Sequence, residues 1–188
     1  MKPKLIVLNG NPGMGKSTLS QRYVDEHPMT LHLDIDRLWH MLGQWQASMP
    51  QSERQKYKFA YALADVHLAD GQDVIVADHI QQAEIYQRFQ KIAESHNAVY
   101  VEVVLLSTLE DAIERCKTRA KNMGYQTGFR PGGVLDTNGR EAKLANMHQN
   151  MLAAVATREH MIRIASIEGD IEGTYQQLHN VITSSDAV

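Results

Sequence analysis

The chain has 188 residues, 43% of them hydrophobic and 22% charged, with a formal net charge of −3. Those values suit a globular chain with a full-sized core, and the acidic balance argues against a surface built for non-specific duplex binding. The one cysteine, Cys116, excludes an intramolecular disulfide and paired-cysteine metal motifs.

No apolar run is long enough to span a membrane, and the first strand follows the N-terminus with no signal peptide ahead of it, so a cytoplasmic setting is expected. The nine histidines lie without HExxH spacing and read as surface or packing residues.

The first predicted strand, Leu5–Asn9, runs into Gly10-Asn11-Pro12-Gly13-Met14-Gly15-Lys16-Ser17-Thr18. This is the spacing of a phosphate-binding loop, and a helix over Ser17–Glu26 completes its context. Gly10, Gly13 and Gly15 let the loop wrap an anion closely. The loop N–H groups and the helix N-terminus then face the phosphates. Lys16 supplies a flexible point charge to the β- and γ-phosphates, and the Ser17 hydroxyl is a Mg²⁺ ligand.

A second strand over Thr30–Ile35 ends in Asp34-Ile35-Asp36-Arg37. Ligands in open α/β sheets bind outside the carboxyl ends of the strands. Two readings of the carboxylates are open there. One caps the helical run that follows; in the other, one carboxylate serves the Mg²⁺ shell and the other accepts a proton from an attacking hydroxyl. Arg37 either holds an anionic substrate group or is a solvated helix-start residue.

About 35 residues separate the second and third strands, more than a simple crossover needs. They contain a helix over Gln51–Ala69 and the aromatics Trp39, Trp45, Tyr57, Phe59 and Tyr61, which either line an acceptor pocket or pack the helices onto the core. Gly71 marks the helix stop.

The third strand, Asp73–Ala77, leads to Asp78 and His79. Asp78 is placed near a metal, against Arg37, or as a cap; His79 is either a substrate contact or a satisfied polar residue. A helix over Ala83–Ser95 and a strand over Ala98–Leu106 follow. Ser107 and Glu110 are spaced as a capping box for a helix over Leu109–Met123.

On that helix Arg115 and Arg119 share one face. The glycine-rich stretch after it carries Arg130 and suits a lid that brings arginines to the phosphates and excludes water. A helix over Glu141–His160, a strand over Met161–Ala165 and a helix over Gly173–Thr183 complete the pattern. The loop after the last strand is placed beside a purine ring. The alternation predicts a three-layer α/β fold with a parallel sheet. No linker or repeat divides residues 1–188, so one domain is expected, with an acceptor-side helical segment over 38–70 and a lid over 115–140.

On these motifs the chain resembles the small P-loop kinases of the nucleoside-monophosphate-kinase-like group. It is most similar to AAA-family ATP-binding proteins of zeta-toxin and polynucleotide-kinase type, with gluconate, shikimate and adenylylsulfate kinases more distant. The resemblance implies a five-stranded parallel sheet in the order 2-3-1-4-5. Leu33-Asp34-Ile35-Asp36 is similar to an Asp-x-Asp segment that implies Asp34 beside the metal and Asp36 as the base. Arg115 and Arg119 match the Arg-x-x-x-Arg of the lid helix. The Asp-x-Asn of polynucleotide-kinase-like members reads Asp78-His79-Ile80 here, without the Asn.

The expectation is an ATP- and Mg²⁺-dependent kinase acting on a small-molecule hydroxyl. Its machinery is Lys16, Asp36 and Arg119, with Arg37, Asp78, His79 and Arg130 on the substrate. The other enzyme reading is a polynucleotide 5′-hydroxyl or nucleotide-sugar kinase. A reading of a different class is a regulatory nucleotide binder with little catalysis.

Overall fold

A computed structural model describes residues 2–124 and 139–185. Strands β1 (Lys4–Gly10), β2 (Leu31–Asp34), β3 (Val74–Asp78), β4 (Val99–Leu106) and β5 (Ile162–Ala165) form one sheet in the order β2-β3-β1-β4-β5. Every pairing is parallel, with Asn9 of β1 opposite both Asp78 of β3 and Val104 of β4. This is the expected strand order.

Helices α1 (Lys16–Glu26), α2 (Ile35–His40), α3 (Met49–Ala69), α4 (Ala83–Ser95), α5 (Leu109–Asn122), α6 (Arg140–Ala156) and α7 (Ile171–Ser184) make the connections. A 3-10 turn over Trp45–Ser48 leads into α3. Among the described residues no helix is long and apolar enough to cross a membrane.

The sheet is covered on both faces because its central strands carry continuous apolar runs, Leu5–Leu8, Val74–Ala77 and Val103–Leu106, rather than alternating ones. Leu5, Val7, Val74, Val76 and Val104 pack on one side with Leu38, Ala60, Ala64, Tyr86 and Phe89 of α2, α3 and α4. Ile6, Leu8, Ile75, Val103 and Leu105 pack on the other with Leu19, Tyr23, Leu178 and Ile182 of α1 and α7. Helix α6 contributes to both cores, Leu144 to the second and Met151 to the first.

Several boundaries differ from the sequence reading by one to four residues, and three of them have a clear local reason. Ile35 begins α2 instead of ending β2, because the Asp34 carboxylate accepts from the Asp36 N–H at 3.2 Å and caps the turn. The cap of α5 is Thr108, one residue beyond Ser107, with its hydroxyl accepting from Asp111 N–H at 3.1 Å. Helix α6 ends at Ala156 rather than His160, where Thr157 caps its last carbonyls and Arg158 turns inward. Gly71 does end α3, at φ 73°, with its N–H on the Leu68 carbonyl.

Arg158 fixes that inward turn. Its guanidinium donates to both carboxylate oxygens of Glu102 on β4, at 2.5 and 3.0 Å, and to Gln90 on α4 at 2.9 Å. Glu102 is only 8% exposed. Removing one partner of a buried pair leaves an uncompensated charge. Arg158→Ala is therefore expected to cost about 3 kcal/mol, read as a lower urea midpoint at unchanged slope. A loss below about 0.5 kcal/mol would mean that the pair behaves as a solvated one.

Candidate active site

The carboxyl end of the sheet gathers the motif residues. The loop from Gly10 to Gly15 joins β1 to α1, and two of its glycines are required by geometry. Gly15 sits at φ 80°, directly before the first helical residue, in the left-handed region that side chains resist. Gly13 is at φ 87°, and a Cβ there would lie 3.2 Å from the Arg115 Cβ. Helix α1 has no side-chain cap, so its first N–H groups and its dipole remain for an anion. Pro12, Met14 and Gly15 shape the same turn, with Met14 buried at its base; Ser17 and Thr18 stand exposed on the first turn of α1.

Lys16 closes the loop on itself. Its ammonium donates to the carbonyls of Gly10 at 2.8 Å and Asn11 at 3.0 Å. Burial lowers its pKa, while Asp36, Asp78, Cys116 and Asp34 act in the opposite direction. One position before the first of those carbonyls, Asn9 ties the floor of the site. Its amide oxygen accepts from Gly10 N–H and Ile80 N–H at 2.7 and 2.8 Å, and its amide nitrogen donates to the Ile80 carbonyl and to Tyr86. A lone Asn ending an apolar strand is the only sequence signal for this clasp.

Asp34 and Asp36 play different parts. Asp34 takes the capping role, with Arg37 Nε 3.6 Å from its second oxygen. Arg37 itself is 72% exposed at the side chain and borders an open depression with Ser17, Thr18 and Gln21. Asp36 is solvent-accessible, yet protein surrounds it on most sides. That setting, together with repulsion from Asp78 and Asp34, raises its pKa to about 6 against the attraction of Lys56 and Lys16.

Asp78 is 4% exposed and does not reach Arg37. It accepts from Tyr57 Oη at 2.5 Å and lies 3.9 Å from Lys56 Nζ. Both partners come from α3; in the sequence Tyr57 is only one of several aromatics, and Lys56 does not stand out. Lys56 is 3% exposed, with its ammonium 3.7 Å over the Trp39 ring and 3.5 Å from Glu53. A lysine in the same turn as the apolar row Tyr57, Ala60, Ala64 and Leu68 is the signal that would have found it. Burial and Asp78 push Tyr57 well up, so it stays a donor. Trp39 stacks on Trp45 and Tyr61 meets Phe89 edge-on, contacts of the kind that packing requires.

His79 is half-buried, with Nδ1 facing the Gly10 carbonyl at 3.3 Å. Burial and Lys16 lower its pKa to about 4, so it is neutral at physiological pH.

The arginines separate. Arg115 is bolted to the loop after β5, donating from Nη1 to Ser166 Oγ and from Nη2 to the Ser166 carbonyl, both at 2.8 Å. It lines a cavity of ≈ 170 Å³ with Gly13, Met14, Thr18 and Gly169. Its place is beside this pocket, which the loop after β5 also lines. Arg119 is exposed one turn further along α5 and makes no hydrogen bond or ion pair to the phosphate loop among the described residues. Arg130 lies outside the described residues.

The donor set fits nucleotide phosphates: an uncapped helix N-terminus, loop N–H groups and Lys16. Among the described residues no three His, Cys, Asp or Glu side chains gather to hold a metal alone. Ser17, exposed on the first turn of α1, and Asp34, in the charge cluster around Lys16, are oxygen ligands that could serve a Mg²⁺ whose other ligands come from phosphate and water.

The family model for AAA_33, an AAA domain, matches residues 5–160. No curated protein matches the sequence. Among solved structures the chain is similar to shikimate kinase from Acinetobacter baumannii in complex with shikimate. That match has a TM-score of 0.63 and 17% identity, covering 97% of this chain and 94% of the other. It is also similar to a gluconokinase from Sinorhizobium meliloti 1021, with a TM-score of 0.61 and 15% identity over 98% and 95% of the two chains. A chain of the Pnkp1/Rnl/Hen1 RNA repair complex matches with a TM-score of 0.60 and 19% identity, covering 85% of this chain and 47% of that one. At these identities the likeness is one of fold. The matched family and the strand order agree with the phosphate loop: the chain belongs to the AAA_33 family of AAA domains, built on the nucleotide-binding fold of the P-loop kinases.

Proposed function

We propose that the protein is a kinase that moves the γ-phosphate of ATP to a hydroxyl of a small molecule. One observation carries this reading. Asp36 stands accessible in the same charge cluster as Lys16 of the phosphate loop, with its pKa at about 6. A carboxylate that is mostly ionised at pH 7 yet close to its titration point is suited to take a hydroxyl proton as attack proceeds. The loop amides and Lys16 hold the phosphates, and Ser17 holds Mg²⁺ with Asp34 on the metal side. When bound, Mg²⁺ neutralises charge on the phosphate oxygens. Arg119 and Arg130 add positive charge to the transferring group on closure. Arg115 and the cavity beside it hold the base. Arg37, Asp78 and His79 border the acceptor side, with Asp78 acting through Lys56 and Tyr57.

The test is transfer from γ-labelled ATP with Mg²⁺ across sugars, hydroxy acids, nucleosides, nucleotide-sugars and 5′-hydroxyl oligonucleotides. A labelled product supports the reading and names the acceptor class. Tight nucleotide binding with no transfer to any acceptor supports a regulatory nucleotide binder instead.

The Lys56 contact gives a sharper check. Lys56 lowers the Asp36 pKa, so Lys56→Met is expected to raise it further. The acid limb of kcat/KM against pH, near 6 in the wild type, then moves up by about one unit. An unmoved limb at retained activity would separate Lys56 from the base.

A further inference from the structure

Asn11 carries an unanswered group. The residue is 2% exposed and lies inside the phosphate loop. Its amide nitrogen donates to Nδ1 of His148 on α6, while its amide oxygen is buried and, among the described residues, has no hydrogen-bond partner. Buried polar atoms without partners are rare, and those that occur call for a specific explanation. The backbone of the same residue is held by Lys16, which donates to the Asn11 carbonyl. Asn11 thus connects the motif lysine to a helix distant in sequence.

We propose that His148 is a positioning residue for the nucleotide phosphates, acting through the Asn11 carboxamide; this rests on the nucleotide-binding reading of the loop. A carboxamide has a donor end and an acceptor end, and His148 engages one of them. In the arrangement seen, Nδ1 of His148 accepts, so the ring carries its proton on Nε2. A half-turn of the amide exchanges the ends. Oδ1 then accepts from His148 Nδ1–H, in the other tautomer, and the NH₂ becomes the end left over. Phosphate oxygens are acceptors, so a phosphate that reaches this free end would favour the second arrangement. No bond is made or broken beyond the shift of one ring proton between nitrogens through solvent. In both states His148 holds the carboxamide, which keeps Asn11 and the Lys16 contact in register.

Helix α6 is placed to matter here. It packs into both cores, and its first turn is tied to α5 by the Lys117–Glu141 pair at 2.6 Å. His79, from the β3–α4 connection, meets the Gly10 carbonyl beside it and also faces the Met147 backbone. The loop is therefore held from α6 through a side chain and from β3 through a carbonyl.

The experiment is calorimetric titration with a non-hydrolysable ATP analogue and Mg²⁺, which needs no acceptor. The proteins are the wild type, His148→Ala, His148→Gln, Asn11→Ala and the Asn11→Ala/His148→Ala double variant, each checked for an intact melting transition. Affinity is expected to fall about tenfold in His148→Ala. It returns to within about threefold in His148→Gln, whose amide can serve either end of Asn11. On the Asn11→Ala background, removing His148 adds less than about twofold. Unchanged affinity in His148→Ala, no recovery in His148→Gln, or an equal loss on both backgrounds overturns the inference while leaving the nucleotide reading intact. If His148→Ala fails to fold, the His148→Gln and Asn11→Ala proteins decide. A wild type that binds no nucleoside triphosphate overturns both.

Discussion

Replacing Asp36 by Asn is expected to lower phosphoryl transfer by about 10²–10⁴-fold while nucleotide affinity stays within about threefold. The two outcomes separate because the loop donors do not depend on Asp36. The same substitution is expected to raise stability, with a pH signature. The ordinary carboxylate value is 3.8 and the folded value is about 6, so folding favours the protonated form. Well below pH 3.8 Asp36 is protonated in both states and costs nothing. As pH rises through about 6 its charge forms in the fold against Asp78 and Asp34, and the wild type loses stability that the neutral Asn keeps. The gap in melting temperature between Asn and wild type should therefore open between pH 4 and 6 and stay open above. An equal gap at pH 4 would point to lost packing rather than charge. Transfer that survives the substitution would remove Asp36 as the base.

The sequence made the scaffold legible because the signals for it are local. The run Leu5–Leu8 fits a strand buried on both faces, and Gly10 to Ser17 has a spacing that only a strand-loop-helix context uses. All five strands and the helices from α3 onward are present where periodicity expects them, with ends shifted by up to four residues, the largest shift at the end of α6. The site was half legible. The Asp34–Asp36 pair announces a strand end, but which member caps and which stays accessible depends on the turn of α2, a tertiary matter. Lys56 was missed, and Tyr57 was named without its role, because their meaning lies in Asp78, 22 and 21 residues away on another element. His148 was one histidine among nine, and its meaning comes from Asn11, on the far side of the sequence. Arg115 shows the opposite error of emphasis. Spacing placed it on the right helix face, but Ser166 decides what its guanidinium holds.

Lys16→Met is expected to reduce transfer by about 10³-fold or more and, unlike Asp36→Asn, to weaken triphosphate binding as well. Stability should move little, because two effects oppose. Burial lowers the Lys16 pKa, so the charged form is disfavoured in the fold, and a neutral side chain of similar length relieves that. Against it, the carbonyls of Gly10 and Asn11 lose the ammonium that now bridges them, each loss costing about 1 kcal/mol. A melting temperature within a few degrees of wild type at pH 7, with binding and transfer both gone, is the combination that identifies a site residue rather than a structural one. Lys16→Arg is expected to fail too. The compact ammonium fits between two carbonyls 2.8 and 3.0 Å away, and a planar guanidinium does not reproduce that geometry. Taken with Asp36→Asn, the pair divides the chemistry: Lys16 serves the phosphate donor and Asp36 the acceptor. A Lys16→Met protein that still bound and transferred phosphate would place the reaction somewhere other than this loop.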